Sequence, residues 1–369
     1  MRKRPGTMRS KDRVLCAVLR QEPDAVPVDF SANPWVLQRL KTAFGVDDHR
    51  SLLDALGADI VDLRGVVDPM YRGPIPWRRT SAGGVQQNIW GMRTRISQTA
   101  TGPEEMYCEF PLRPVQDPDE LEHYPWPSVD WFDFSDFAGR LQPWRDRAIM
   151  ASGASIWQHP SFLRGLDELL MDVATASPIG GALLDRFTDF YVAYFDRMFA
   201  AAPGAIDILR IADDLGMQDR LLLSPSAIRE HLIPRIARLV DMAHAHGVKV
   251  MFHSCGSIRP IIPDLLDIGI DILDPIQVAA RDMDPAVLKR DIGDRVCFHG
   301  AIDTQYLLPQ GTPAEVAKTV RQMIDTLGRG GGYIVAPSHV LQMDVPLENI
   351  RALYETATAR RARTALLRT

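Results

Sequence analysis

Short apolar runs recur along the chain, and most of the intervals between them are long enough for a helix. The runs contain few polar residues, which is typical of strands in a parallel sheet covered on both faces. Strands that alternate with helical patterns indicate βαβ units, and eight such units predict closure into a barrel. The eight predicted strands are 26–30, 58–63, 148–152, 205–211, 248–253, 270–275, 295–300 and 332–337.

Two of the intervals carry clear amphipathic helices. Residues 226–247 place apolar side chains at helical spacing and end in glycine, and residues 312–328 begin with Thr312 as a cap and Pro313 at the first helical position. We therefore predict an α/β fold, a (β/α)8 TIM barrel, as a single domain over residues 1–369. A doubly wound open sheet is the alternative, but the first βα turn lacks the glycine-rich fingerprint that would favour it.

Residues 65–147 interrupt this alternation between the second and third predicted strands. The segment is rich in Pro, Trp, Arg and Gly. We predict an insertion that contains a β-hairpin near 83–97, followed by an irregular stretch at 124–134. A loop of this length in a compact domain is usually a functional or an assembly surface, and exposed tryptophans in it favour a homodimer.

The bulk composition narrows the classes of partner and compartment. Of the 369 residues 46% are hydrophobic and 24% are charged, and a net charge of −5 argues against a nucleic-acid partner. No apolar run reaches the roughly 18 residues of a membrane span. The basic start, 1–13, lacks the apolar segment of a secretory signal, and we interpret it as a frayed terminus, with a targeting segment as the alternative. Four scattered cysteines indicate a reducing compartment, so we expect the protein in the cytoplasm.

Polar side chains gather where the predicted strands end, which is where barrel enzymes carry their chemistry. We expect four of these residues to be catalytic and five to bind substrate. The expected catalytic residues are Asp213, Asp214, His299 and Asp303. The expected substrate-binding residues are Asn33, Arg64, Gln218, Asp274 and Gln277. For the aspartates 213 and 214, capping of the following helix is an equally good interpretation.

The end of the fifth predicted strand holds His253 and Cys255, two residues apart. Residues at this spacing on an extended strand point to the same side. An imidazole and a thiolate that converge suit zinc, and a catalytic zinc needs a third protein ligand and an open position. His339, at the end of the eighth strand, is the first choice for that ligand, and His299 is the second. Without a metal, a histidine and a cysteine at this spacing are an ordinary pair of strand residues.

Segments 246–277 and 331–355 resemble the uroporphyrinogen decarboxylase superfamily, and 210–225 and 298–305 agree with the resemblance. The superfamily fold is a (β/α)8 barrel. Its decarboxylases carry an arginine signature after the first strand, and here that place holds Ser31-Ala32-Asn33-Pro34-Trp35. Their catalytic aspartate corresponds to Arg64 in this sequence. Both departures argue against decarboxylation of uroporphyrinogen.

The second branch of the superfamily contains zinc-dependent methyltransferases that act with a corrinoid or a thiol. Its ligand pattern, His-x-Cys on strand five and Cys near strand eight, matches His253 and Cys255, with His339 at the third position. Histidine in place of cysteine favours zinc that binds an ether oxygen or amine nitrogen over zinc that activates a thiol. The resemblance thus implies a zinc-dependent O-demethylase that moves a methyl group from a small donor to a corrinoid supplied by a partner protein. The alternatives are a metal-independent decarboxylase or lyase of a carboxylated substrate, and a non-enzymatic protein that binds a tetrapyrrole or corrinoid.

Overall fold

The computed structural model describes residues 8–80 and 84–366. Its strands, in chain order, are β1 (Ile60–Asp62), β2 (Met70–Tyr71), β3 (Arg78–Thr80), β4 (Gln86–Asn88), β5 (Arg93–Thr99), β6 (Gly102–Glu109), β7 (Phe132–Asp133), β8 (Ala148–Ala154), β9 (Ile208–Ala212), β10 (Lys249–His253), β11 (Ile272–Ile276), β12 (Cys297–Ile302) and β13 (Tyr333–Pro337). The first seven residues of the basic start, and Gly83 of the expected hairpin, lie outside the described residues.

The α-helices precede, follow or separate these strands, with short 3-10 turns between some of them. They are α1 (Ser10–Val18), α2 (Pro34–Phe44), α3 (His49–Leu56), α4 (Phe137–Arg140), α5 (Gln158–Arg164), α6 (Leu166–Ala174), α7 (Pro178–Ala201), α8 (Pro225–Ala227), α9 (Ile233–Ala245), α10 (Ile262–Asp267), α11 (Pro285–Ile292), α12 (Leu307–Gln310), α13 (Pro313–Leu327) and α14 (Leu347–Leu366). No helix in this described part of the chain has both the length and the apolar character needed to cross a bilayer.

Seven parallel strands form a curled sheet in the order β1-β8-β9-β10-β11-β12-β13. The segment 26–30 closes it, because Val28 bridges Val335 of β13 in parallel and its carbonyl oxygen accepts the Asp59 N–H at 2.7 Å beside β1. The predicted TIM barrel is thereby confirmed. Its first position is a bridge and not a full strand, because Pro27 has no N–H and the Val28 N–H donates to the Asp59 carboxylate.

The amino end of the barrel is closed by α1. Its Val14 and Val18 are fully buried against a layer of interior side chains that the strands contribute in turn. That layer contains Ile60, Ala148, Met150, Ile208, Met251, Ile272, Cys297 and Ile334. Because this end is filled with apolar atoms, polar chemistry is left to the carboxyl end of the strands.

The predicted helix 226–247 is broken into three parts. After α8, residues Ile228–Leu232 form a π-helical turn, and α9 begins at Ile233. Pro234 lies in the first turn of α9, where its missing N–H removes one bond of the helical ladder. The register of the helix therefore shifts at the proline.

The segment between β1 and β8 forms its own antiparallel sheet, in the order β3-β4-β5-β6, together with the small pair β2-β7. Trp90 in this segment stacks on Phe187 of α7 with ring centroids 4.4 Å apart, which fixes the sheet to the outer helices. The turn between β5 and β6 reaches the carboxyl end of the barrel, where Gly102 lies against Met343. The segment thus supplies part of the wall at the barrel mouth.

Candidate metal centre and its cavity

Three side chains with nitrogen and sulfur ligand atoms meet at the carboxyl end of the barrel. His253 ends β10, Cys255 follows two residues later, and His339 lies two residues beyond β13. One ligand atom of each lies within 4.8 Å of the other two, and Cys255 Sγ is 3.6 Å from His253 Nε2. Tetrahedral zinc with ordinary bond lengths separates sulfur and nitrogen ligands by roughly 3.5 Å. We call these three residues the ligand cluster, and its spacing fits a zinc ion.

The loop that carries Cys255 is held by close backbone packing. Gly256 has a φ of +85°, and a Cβ there would lie 2.5 Å from the carbonyl carbon of Gly216. The Cys255 N–H donates to Asp214 Oδ1 at 2.8 Å, and the Gly256 N–H donates to Gln277 Oε1 at 2.7 Å. Glycine is therefore required where the two loops touch, and the sulfur is aimed by a carboxylate and an amide on neighbouring strands.

The ring of His253 is oriented from behind by Asp274. Its Nδ1 lies 2.8 Å from Asp274 Oδ2, and the Arg210 guanidinium lies 2.9 Å from the same oxygen and 2.7 Å from the same Nδ1. A metal on Nε2 requires the proton to be on Nδ1, and Asp274 is the acceptor for that proton. This carboxylate–histidine arrangement is typical of metal sites.

Asp274 also bonds a second histidine. The His299 Nδ1–H donates to Asp274 Oδ1 at 2.8 Å, and the Nε2–H donates to Asp29 Oδ2 at 3.0 Å. Burial lowers the pKa of His299, but the two carboxylates outweigh it and raise the pKa to about 9. We call Asp29, His299, Asp274 and Arg210 the buried charge network. Since both of its nitrogens are occupied, His299 is not the third ligand of the cluster.

The surroundings of Asp274 and Cys255 shift the pKa values of these two side chains in opposite directions. Burial raises the pKa of Asp274, but Arg210 and the imidazoles of His253 and His299 lower it further, so that the net pKa lies well below its usual range. Burial and the neighbouring Asp214 raise the pKa of the Cys255 thiol. The carboxylate is thus always charged, whereas the thiol needs a bound cation to lose its proton.

Two of the expected catalytic aspartates, Asp213 and Asp303, accept hydrogen bonds from several backbone N–H groups. Asp213 is 1% exposed and accepts the Ile156, Trp157 and Gln158 N–H groups and the Ser155 hydroxyl. Burial raises its pKa, and these hydrogen bonds limit the rise to about 6. Asp303 accepts the N–H groups of the three residues 305–307 at the start of α12. Both carboxylates act as caps, and Asp213 caps α5 of an earlier βα unit, not the helix that follows it.

Asp214 lies directly beside the ligand cluster. Its Oδ1 is 3.6 Å from His253 Nε2, in addition to its bond with the Cys255 N–H, and its Oδ2 accepts the Gln158 side-chain amide at 2.6 Å. The structure therefore brings Asp214, and not Asp213, to the position where chemistry would occur.

A cavity of about 530 Å³ opens at the ligand cluster, with Cys255 and His339 in its wall. Of the expected substrate-binding residues, Gln218 and Gln277 line it. Asp274 has a different place, because it is 3% exposed and all its contacts above are to protein. The polar side chains in the lining that were not predicted as site residues are Thr101, Thr304, Gln305, Ser338, Gln342 and Asp344. Thr304 and Gln305 come just after β12, which ends at Ile302, and this position at a strand end could have signalled them.

The remaining two expected substrate contacts do not line this cavity. Asn33 caps α2 by accepting the Val36 N–H, and its side-chain amide donates to Gln342 Oε1 at 2.6 Å. Asn33 therefore does not line the cavity itself but orients Gln342, which does. Arg64 has a side chain that is 61% exposed, with its guanidinium 3.6 Å from Asp62.

Comparison with known proteins gives a family match over the later part of the chain. The family model for uroporphyrinogen decarboxylase (URO-D) matches residues 148–360. Methylcobamide:CoM methyltransferase MtaA of Methanosarcina barkeri is 31% identical over 170 residues, which are 46% of this chain and 46% of that protein. Methylated-thiol–coenzyme M methyltransferase of Methanosarcina mazei is 30% identical over 191 residues, 52% of this chain and 47% of that one.

A uroporphyrinogen decarboxylase of Coxiella burnetii is 25% identical over 181 residues, 47% of this chain and 45% of that protein. The matched region thus spans about half the length of these curated relatives. Among solved structures, a methyltransferase from Methanosarcina mazei superimposes with a TM-score of 0.63 at 18% identity, covering 95% of this chain and 99% of that chain. At this identity the likeness shows the shared fold.

Proposed function

The chain belongs to the uroporphyrinogen decarboxylase (URO-D) family, and from this premise we propose that it is a zinc-dependent methyltransferase of the O-demethylase type. In this proposal it moves a methyl group from a small donor to a corrinoid carried by a partner protein. The observation that carries the proposal is the ligand cluster, of which Cys255 and His339 lie in the wall of a cavity. Two methyltransferase relatives, at 31% and 30% identity, are also more similar to this chain than the Coxiella burnetii decarboxylase at 25%.

The donor set of the ligand cluster suits zinc more than a hard cation. One thiolate and two imidazoles are borderline-soft ligands, and three protein ligands leave a position open for a donor molecule. Zinc bound there would act as a Lewis acid that lowers the basicity of the heteroatom losing its methyl group.

The chain's own residues would hold this arrangement in place. Asp274 accepts the His253 Nδ1–H, which leaves Nε2 free as a ligand. Asp214 accepts the Cys255 N–H and places a negative charge beside the cluster. The amides of Gln218 and Gln305 lie in the cavity wall, where they would hold the polar part of the donor.

Two observations weigh against a decarboxylase of carboxylated substrates. Such an enzyme needs a cation to hold each substrate carboxylate. Arg64 is exposed and lies outside the cavity wall, and no lysine or arginine is among the described residues that line the cavity. Among the described lining residues, a carboxylated substrate would therefore find no cationic side chain.

Metal analysis of the purified protein tests the proposal. We expect about one zinc per chain, and loss of the metal in a His253→Ala, Cys255→Ser double variant that keeps its circular dichroism spectrum. A matched control, His123→Ala with Cys108→Ser, changes the same residue types away from the cluster and should keep the metal. A well-folded protein without zinc, even after incubation with the metal, would refute the proposal.

Methyl transfer to free cob(I)alamin provides the second readout. Methylcobalamin has its own absorbance spectrum, so a panel of methyl ethers and methylamines can be screened with the zinc-loaded protein. Formation of methylcobalamin by the control variant, and its absence in the double variant, is the expected result.

A further inference from the structure

We infer that the donor held in this cavity is an uncharged molecule with hydrogen-bond acceptors, and that anionic donors are rejected. The inference rests on the proposed function, because it takes the cavity at the ligand cluster as the donor site. It adds the chemical class of the donor, which neither the fold nor the ligand cluster defines. Three observations support the inference: the orientation of the amides in the cavity wall, the charge of the wall, and the contacts that Arg210 makes behind the ligand cluster.

Four glutamines are among the described residues that line the cavity, and hydrogen bonds within the protein set how their side-chain amides are oriented. Gln277 is buried, and because its Oε1 accepts the Gly256 N–H, its Nε2 points to Gln218 Oε1 at 3.4 Å and Gln305 Oε1 at 3.3 Å. These contacts turn the NH₂ groups of Gln218 and Gln305 away from Gln277. Among the described residues neither NH₂ group has an acceptor, so both are available to a ligand.

Further along the wall, Gln342 is fixed in the same way. Its Oε1 accepts the Asn33 side-chain amide at 2.6 Å, which leaves its NH₂ group as the donor that faces other partners. The hydroxyls of Thr304 and Ser338 lie 3.2 Å apart in the same wall. A ligand that fills the cavity is therefore met by neutral donors, which match ether, hydroxyl, carbonyl or sulfonyl oxygens.

The charge in the described part of the cavity wall is negative. Asp344 is the charged residue among the described lining residues, and Asp214 lies 3.6 Å from the ligand cluster. The guanidinium of Arg210 lies behind the ligand cluster, with its Nε 2.9 Å from Asp274 Oδ2 and one terminal nitrogen 2.7 Å from His253 Nδ1. These two nitrogens are directed at Asp274 and the ligand ring, and Arg210 is not among the described residues that line the cavity.

A bound metal does not reverse this balance. A divalent ion would bring two positive charges, which the Cys255 thiolate and the Asp214 carboxylate offset, and Asp344 then leaves the surroundings negative. Away from the ligand cluster, an anionic group would lose its hydration without gaining a cationic side chain among the described lining residues, which is unfavourable. An uncharged donor of the same shape loses less and keeps its hydrogen bonds.

A matched pair of probes tests the inference by isothermal titration calorimetry on the zinc-loaded protein. The probes are 2-methoxyethanesulfonate and 2-methoxyethyl methyl sulfone, which share shape and sulfonyl oxygens and differ by one negative charge. We expect the sulfone to bind with a Kd at least tenfold lower than the sulfonate. Equal or tighter binding of the sulfonate, or no measurable binding of the sulfone, would overturn the inference.

A positive charge placed in the cavity wall should shift the binding preference toward the sulfonate. In Gln305→Arg we expect the ratio of the two Kd values to move at least tenfold toward the sulfonate, because the new guanidinium faces the cavity. The control Gln142→Arg adds the same charge in an exposed turn before β8 and should leave the ratio unchanged. Circular dichroism confirms the fold of each variant, and an unchanged ratio in folded Gln305→Arg would contradict the inference.

The two proposals fail differently. Loss of the zinc assignment would appear in the metal analysis, whatever the probes do. Loss of the donor class would appear as a preference for the sulfonate in a protein that still binds zinc.

Discussion

The buried charge network and the ligand cluster both lie at the carboxyl end of the barrel. Their histidines differ in how many ring nitrogens are hydrogen-bonded to carboxylates. In the buried charge network, both nitrogens of His299 donate to carboxylates. In the ligand cluster, His339 is exposed at the cavity wall and His253 directs Nε2 toward a sulfur. A side chain whose hydrogen bonds are all made stabilises the fold, whereas one that keeps an unbonded lone pair can act on a ligand.

The buried charge network also has a role toward the cluster, although it touches the metal position only through His253. Asp274 accepts hydrogen bonds from His299, His253 and Arg210, so three cationic or polar groups hold one carboxylate in place. The network therefore fixes the ligand ring. Substitutions can test this difference in roles. We expect the largest loss of stability when a residue of the buried charge network is replaced.

Replacing His299 by alanine should lower the free energy of unfolding by about 3–5 kcal/mol, because it leaves Asp29 and Asp274 buried without their shared cation. His339→Ala in the metal-free protein should cost less than about 1 kcal/mol, since no buried partner is left behind. Denaturant unfolding of both variants and of the surface control His123→Ala measures this. Similar losses in the two variants would remove the distinction between network and cluster.

The network should also make stability depend on pH. The pKa of His299 is raised from 6.5 to about 9 on folding, so its contribution is fully present below pH 6.5 and is lost as the pH rises through about 9. The shift corresponds to roughly 3 kcal/mol. The free energy of unfolding of the wild type, minus that of His299→Gln, should therefore shrink between pH 6.5 and 10. A constant difference would show that His299 is neutral in the folded protein.

Much of this arrangement could be predicted from local sequence. The alternation of apolar runs predicts the barrel, and the two-residue spacing of His253 and Cys255 predicts a common direction because strand side chains repeat with a period of two. The place of His339 follows from the rule that strand ends meet at one face. These signals each lie within one or two βα units.

The roles of His299 and Asp213 could not be predicted in this way. His299 bonds Asp29, which lies 270 residues away in the sequence, and Asp213 caps a helix that begins 55 residues before it. A residue at a strand end therefore looks the same in the sequence whether or not it is hydrogen-bonded to a distant residue. Gln342 could not be predicted for the same reason, since its orientation is set by the side-chain amide of Asn33, which lies 309 residues away in the sequence.

Within the ligand cluster, His339→Ala should weaken zinc binding by at least about 100-fold, or about 2.8 kcal/mol, since loss of a ligand exceeds the effect of its outer partners. His339→Cys supplies a ligand from the same position and should regain much of the affinity. Competition with a chromophoric chelator measures both values against His123→Ala. Unchanged affinity in His339→Ala would place the third ligand elsewhere.

The smallest effect should come from Asp214, which touches the cluster without belonging to it. Asp214→Asn keeps an oxygen for the Cys255 N–H but removes a negative charge 3.6 Å from His253 Nε2. Because that charge favours a cation at the cluster, zinc affinity should fall by about tenfold, at the low end for an outer partner. The fall should diminish at high salt to the extent that solvent reaches the carboxylate. A loss as large as that of His339→Ala would instead make Asp214 a ligand, and the cluster would then hold four protein groups with no position left for a donor.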